Sequence, residues 1–262
     1  MKYIYTILLT GMLFVVNNVI AEDENKSSGV AAPGSVELTE DELKNKIGRM
    51  GEVEEIPEGF EFTEAENLMW RSDHLSNIKE PANLYYEFEQ SGVVADGFTD
   101  SVYLRILELN EDGSKNAQLD FFTASRKQAV RPDNVTGIYG NPVLGIYMGG
   151  DMKLMQQITE GSWRHFQKLI KVSLREDAVV EQVNFSFNGK DYQGKKVSFQ
   201  PFVEDIHRRK YDDYADKSYE FIFSDEIPGS LYQIKTIVPS KSQQNTDPLI
   251  LEVLTLVDVK NT

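Results

Sequence analysis

From Leu84 onward the chain is built of short segments whose apolar residues fall on every second position, joined by pairs of turn-forming residues. In LYYEFEQSG, Leu84, Tyr86 and Phe88 alternate with Tyr85, Glu87 and Glu89. In SVYLRILEL, Val102, Leu104 and Ile106 alternate with Tyr103, Arg105 and Leu107. Successive side chains of a strand point to opposite faces, so each segment predicts a half-buried strand. Asp112-Gly113 leads into AQLDFFTA, Asn188-Gly189 divides VNFSF from KDYQGKKVSFQPF, and Pro228-Gly229 divides SYEFIFSDEI from SLYQIKTIVP. Such pairs adopt the backbone conformations that tight hairpin turns need, and strands joined by tight turns run antiparallel.

The last segment, PLILEVLTLVDV, departs from simple alternation. Leu249, Leu251, Val253 and Val257 fall on one face, Ile250, Leu254 and Leu256 on the other. An antiparallel sheet with one wet face buries only one set. The second set is expected to need cover from a helix, a partner or a ligand.

One stretch interrupts the meander: GNPVLGIYMGGDMKLMQQITEGSWRHFQKLIKVSL, residues 140–174. Asp151 is a suitable N-cap for a helix carrying Met152, Met155 and Ile158 inward. Gly161 ends that helix and Ser162 can cap a second. There Trp163, Phe166, Leu169, Ile170 and Leu174 form an apolar face, while Arg164, His165, Lys168, Lys171 and Arg175 occupy the remainder. The predicted fold class is α+β: a curved antiparallel sheet, an open or half barrel, with a helix pair packed on its concave face.

The N-terminus predicts export. MKYIYTILLTGMLFVVNNVIA has a basic start, a short apolar core and the small-residue pattern of a cleavage site after Ala21. Its apolar core is shorter than the roughly 20 residues of a membrane span, so residues 1–21 read as a signal peptide rather than an anchor. The expected location is the periplasm, with full secretion the alternative and no transmembrane span after cleavage. The chain contains no cysteine, which rules out a disulfide framework, zinc ribbons and cysteine nucleophiles. Stability must come from an ordinary apolar core.

Charge divides the remainder of the chain. Residues 22–66 hold 14 acidic and 4 basic residues, net −10, whereas residues 67–262 hold 28 and 22, net −6. The first segment also carries SSGVAAPGS and few large apolar groups, the composition of a solvated leader. Thr39-Glu40-Asp41-Glu42 resembles a capping box for a short helix through Leu43, Ile47 and Met50. Residues 67–262 then form a single β-rich domain.

No catalytic constellation emerges. The three histidines, His74, His165 and His207, have no metal-binding spacing, and neither a G-x-S-x-G elbow nor a phosphate-binding glycine loop is present. His165 reads as solvated on the basic face of its helix. No cofactor and no metal are implied. The acidic balance argues against nucleic acid. The basic run His207-Arg208-Arg209-Lys210 is flanked by Asp205, Asp212 and Asp213 and reads as a self-neutralising loop, with Arg208 and Arg209 as an anion contact in the alternative.

Two resemblances rest on these residues. Asn141 to Leu144, Asp151, Thr159 with Gly161-Ser162 and Phe166, and Ser224-Asp225 with Pro228-Gly229 resemble the pattern of an uncharacterised family of exported proteobacterial proteins. That likeness covers about residues 70–259 and implies no activity. The order of strands and helices is similar to that of the periplasmic lipoprotein carriers and their relatives, incomplete antiparallel barrels with helices over the concave face. It implies an apolar groove under a helical cover, and no motif of those carriers matches residue by residue.

The function expected is therefore that of a non-enzymatic periplasmic protein that binds an apolar ligand, such as a lipid, or an envelope protein in an open-barrel groove. Trp163, Phe166, Ile170, Met152, Met155 and Leu254 would line it. The second reading is an envelope adaptor that uses its acidic leader; the third is a hydrolase with an unrecognised site.

Overall fold

The computed structural model describes residues 61–94, 97–123, 135–241 and 247–261. The signal peptide, the helix expected after Thr39 and most of the leader lie outside the described residues. The elements below belong to one compact unit whose described part runs from Thr63. Among the described residues, no helix is long and apolar enough to cross a membrane.

Among the described residues, nine strands form one sheet: β1 Ala82–Ser91, β2 Phe98–Leu109, β3 Lys115–Phe121, β4 Val135–Ile138, β5 Val179–Phe187, β6 Lys190–Phe199, β7 Ser218–Phe223, β8 Leu231–Val238 and β9 Ile250–Asn261. Their order is β4-β3-β2-β1-β9-β8-β7-β6-β5, and every pairing is antiparallel. Two meanders are thus present, β1 to β4 and β5 to β9, and the C-terminal strand joins them by pairing with β1. β4 and β5 stay apart, so the barrel is open, as the sequence predicts.

The turns follow their residue types. Asn188 and Gly189 both take left-handed φ, 49° and 74°, the conformation of a two-residue hairpin loop whose twist matches the strands. At the β2–β3 turn the Asp112 carboxylate accepts from the Ser114 N–H and hydroxyl, at 3.0 and 2.7 Å. Alternation then selects the core. Leu84, Tyr86 and Phe88 on β1 and Val102, Leu104 and Ile106 on β2 are buried, while Tyr85 and Tyr103 turn outward.

Two long helices lie between the meanders: α1, Pro142–Thr159, and α2, Trp163–Glu176. The first begins ten residues earlier than expected, from Pro142 rather than after Asp151. Asn141 is its N-cap, its side-chain oxygen accepting from the Val143 N–H at 3.1 Å. Proline behind it has the φ and the missing N–H that suit the first helical position. Gly149-Gly150 therefore lies inside the helix and Asp151 in its middle, fully buried. Glu160 in the left-handed region ends α1, and Ser162 precedes α2 without a side-chain cap bond.

The last strand needs a further correction. Leu254 and Leu256 face the core together with Glu252, all at most 3 % exposed. Leu251 and Val253 are half-buried and Val257 is exposed, so the described residues cover the outer set only in part. Strand β4, four residues long, is an edge the alternation did not announce.

Just before β1, Thr63 caps a helical turn at Glu64–Glu66 that continues as Asn67–Arg71. This segment is fastened to α2 and β6: Glu66 pairs with Arg175 at 3.1 Å and Glu64 with Lys195 at 2.6 Å.

Candidate functional site

Residues four apart on a helix lie one above the other. On α1 that relation aligns Tyr147, Asp151 and Met155, all of them buried. Two of the three are polar, and the sheet answers each with polar groups. The Asp151 carboxylate pairs with the Lys217 ammonium ahead of β7 and accepts from the Tyr219 hydroxyl at 2.5 Å. One turn earlier, the Tyr147 hydroxyl donates to Glu252 on β9 at 3.0 Å and touches Thr236 on β8 at 3.1 Å. Glu252 also accepts from Thr236, at 3.1 Å, and from Gln90 on β1, at 2.7 Å. At the start of α1 the Asn141 amide donates to the Tyr86 hydroxyl at 3.0 Å and to the Gly229 carbonyl at 2.9 Å.

A polar seam therefore runs along α1 across β1, β9, β8 and β7, inside an otherwise apolar core. Burial pushes the Tyr147 and Tyr219 phenols well above their ordinary value, and the charges of Glu252 and Asp151 add to the shift. Both stay protonated and act as donors to the carboxylates.

The residues expected to line a groove divide. Phe166, Ile170, Met155 and Leu254 are at most 3 % exposed and belong to one core cluster. Met152 packs on that cluster, partly buried. Trp163, in the first turn of α2, is 42 % exposed. Phe166 is the centre of an aromatic group, edge-on to Phe202 at 5.6 Å and tilted against Tyr211 at 5.5 Å. In this arrangement these side chains pack together in one cluster between helices and sheet. A cleft of about 240 Å³ opens elsewhere, on the outer face, between Tyr85, Thr99, Ser101, Tyr103 and Val257.

His165 is not simply solvated. Its Nε2 lies 2.6 Å from Asp205 Oδ2 and 3.2 Å from the Tyr211 hydroxyl. Asp205 also accepts from Tyr211 and from the His207 N–H. Burial alone would raise the Asp205 pKa, but these donors outweigh it and hold the carboxyl below its ordinary value. The cluster ties the β6–β7 loop to α2. Arg208 and Arg209 are exposed in that loop, and Arg208 pairs with Asp216 at 2.8 Å. Among the described residues, no group of three or more histidine and carboxylate side chains could hold a metal ion.

Sequence reasoning missed the seam. Glu252 shares parity with Leu254 and Leu256, which signals an inward carboxylate; nothing local links Asp151 to Lys217, 66 residues away.

No family model matches the chain, and no curated protein matches it. It is similar to the solved structure of a LolA superfamily protein from Nitrosomonas europaea, at 10 % identity over 76 % of this chain and 93 % of that one, with a TM-score of 0.22. It is also similar to LprF from Mycobacterium bovis, at 9 % identity over 75 % and 92 % of the two chains, with a TM-score of 0.28. The likeness is weak and one of layout alone.

Proposed function

We propose that this chain is an exported, periplasmic binding protein without catalytic activity, and that its apolar ligand, a lipid or acyl chain, is taken up between the α1–α2 pair and the sheet. The observation that supports this reading is the polar seam between α1 and the sheet. A buried ion pair is weak evidence for stability, because well-packed apolar replacements are often as stable or more so. Asp151, Lys217 and Tyr219 therefore suit a different role, in which they define one seat for the helix that it can leave and regain. Apolar packing alone would hold the helix without specifying that seat.

The dimensions allow an exchange. Nine strands about 4.8 Å apart make a sheet roughly 40 Å wide, and a helix with side chains is about 10 Å across. The helix pair fills the trough of the open barrel, and an acyl chain would take its place against the same wall. Leu254 on β9 would belong to that wall, while Phe166, Ile170 and Met155, with Met152 beside them and Trp163 at the exposed start of α2, would line the helix side of the space. Methionine adapts its shape to such a change of contents.

The test is native mass spectrometry of the mature chain purified after export, followed by transfer of a fluorescent fatty acid. A retained acyl-bearing lipid, displaced by the probe, is the expected result. An empty protein that takes up no probe would overturn the proposal.

A further inference from the structure

The two edges of the sheet are built differently. At one end β4 has only four residues, with Gly137 at φ +67° and a register shift against β3. It is short, kinked and irregular, which are features that keep an edge from pairing with another chain. At the other end β5 runs nine residues in unbroken register with β6, from Val179 opposite Ser198 to Phe187 opposite Lys190. Its sequence, VVEQVNFSF, has no proline, glycine or lysine. Its other side pairs with no strand among the described residues. Edges of this length are normally protected by a bulge, a proline, a lysine or a covering helix or loop. β5 has none of the first three, and of the described helices the short Glu64–Glu66 turn lies beside it.

The side chains of β5 suit a partner. Val197 is a core residue and stands opposite Val180, so Val180, Gln182, Asn184 and Ser186 share the inner face. Val179, Glu181, Val183, Phe185 and Phe187 share the outer one. On that outer face Phe185 stacks on Tyr232, with ring centroids 4.0 Å apart, and Val179 is 54 % exposed. The only charge on the strand is Glu181, which pairs with Lys196 at 3.1 Å.

We propose that β5 pairs antiparallel with β5 of a second copy, about a two-fold axis through Val183, to make a continuous sheet across a symmetric dimer. With Val183 opposite its own copy, Val179 meets Phe187, Glu181 meets Phe185, and Gln182 meets Asn184. The outer face gains apolar pairs at Val183 and at Val179 with Phe187, separated by Glu181 of each copy against Phe185, and the inner face gains an amide pair. No like charges stand opposite each other, which is the requirement for two copies of one strand to pair. The net charge of −15 per chain opposes association only weakly, since charges more than about 8 Å apart are screened at physiological ionic strength. Nine residues give a paired edge roughly 30 Å long.

The absence of native cysteine makes the register directly testable in the full mature chain. Opposed residues of an antiparallel pair have Cα atoms about 4.5–5.5 Å apart, within reach of a disulfide. Val183→Cys is therefore expected to give a disulfide-linked dimer under mild oxidation. In Glu181→Cys the two thiols would lie about 13 Å apart along the strands, and that variant is expected to stay unlinked. In sedimentation velocity the wild type should shift from monomer to dimer with rising concentration. Val183→Lys and Val183→Glu should each remain monomeric with unchanged circular dichroism and with the melting temperature the wild type shows at concentrations where it is monomeric, and their mixture should dimerise again. The proposal is overturned if the wild type stays monomeric throughout, if Glu181→Cys links as readily as Val183→Cys, if Val183→Cys links only to a foreign protein, or if the charge-swapped mixture does not associate.

Discussion

Asp151 in the middle of α1 and Lys217 ahead of β7 form an ion pair with both side chains sealed from water, 0 % and 2 % exposed. Removing one partner strands a charge; removing the whole group does not. Asp151→Leu leaves the Lys217 ammonium buried without its counter-charge and is expected to cost about 3–5 kcal/mol in urea unfolding. The triple variant Asp151→Leu/Lys217→Met/Tyr219→Phe also removes the hydroxyl that would otherwise lose its acceptor. It is expected to match the wild type or exceed it by about 1–4 kcal/mol. If the seam is the exchangeable seat of α1, this equally stable triple variant should take up a fluorescent acyl probe more slowly than the wild type.

Phe166 and Trp163 share one face of α2 by spacing but not by burial. Phe166 is fully buried among Phe202, Tyr211 and His165, so Phe166→Ala should destabilise by about 3–5 kcal/mol through lost burial and the cavity left behind. Trp163→Ala removes a ring that is 42 % exposed and should cost much less, within about 1 kcal/mol. Chemical denaturation of the two variants separates the residue that holds the core from the one at its margin. Equal losses would mean that the first turn of α2 is packed as tightly as the second.

The contrast shows which features were legible in the sequence. Period-two alternation identified the inner residues of β1 and β2, and the turn pairs located the hairpins, because both are local properties of the backbone. Helical spacing identified Phe166, Ile170 and Leu174 as the inner face of α2. It also included Trp163, since spacing does not tell where a helix end leaves its sheet. The start of α1 was obscured by Gly149-Gly150: glycine weakens an isolated helix, yet here packing against the sheet holds the helix through it. The Asn141-Pro142 pair carried the correct signal. The partners of Asp151, Tyr147 and His165 come from distant strands and loops, and no periodicity encodes such pairs.

Gly194 on β6 gives a test of the outer face. A Cβ there would lie 2.6 Å from the Phe223 carbonyl oxygen and 2.9 Å from Phe185 Cε1. The aromatic ring can turn aside, but the carbonyl belongs to the neighbouring strand β7 and cannot. Gly194→Ala is expected to cost about 1–3 kcal/mol, the usual range for overpacking, and to disturb the stack of Phe185 on Tyr232. Thermal melting with near-ultraviolet circular dichroism reads both effects. A variant with unchanged melting would show that β6 and β7 can separate at this point without loss.

His74 makes stability depend on pH through a fixed tautomer. Its Nδ1 accepts from the Asn141 N–H at 3.1 Å, and its Nε2 lies 2.7 Å from the Leu68 carbonyl oxygen. A backbone N–H can only donate and a carbonyl only accept, so the proton is on Nε2 and the ring is neutral. It stacks on Phe223 and is 3 % exposed. Burial lowers its pKa below the ordinary 6.5, against the opposing influence of the Leu68 carbonyl and of Asp225 and Asp73. The unfolded chain therefore binds this proton more readily than the folded one, and stability rises with pH in the interval between the two values. The contribution is complete above 6.5 and is lost as pH falls below 6.5 through the folded value. Asp205, held below 3.8, has its effect only at more acid pH. Unfolding free energy measured from neutral pH downward should fall through this interval in the wild type. His74→Gln should be less stable at neutral pH and should lack that part of the slope. An unchanged slope in the variant would assign the dependence to other groups.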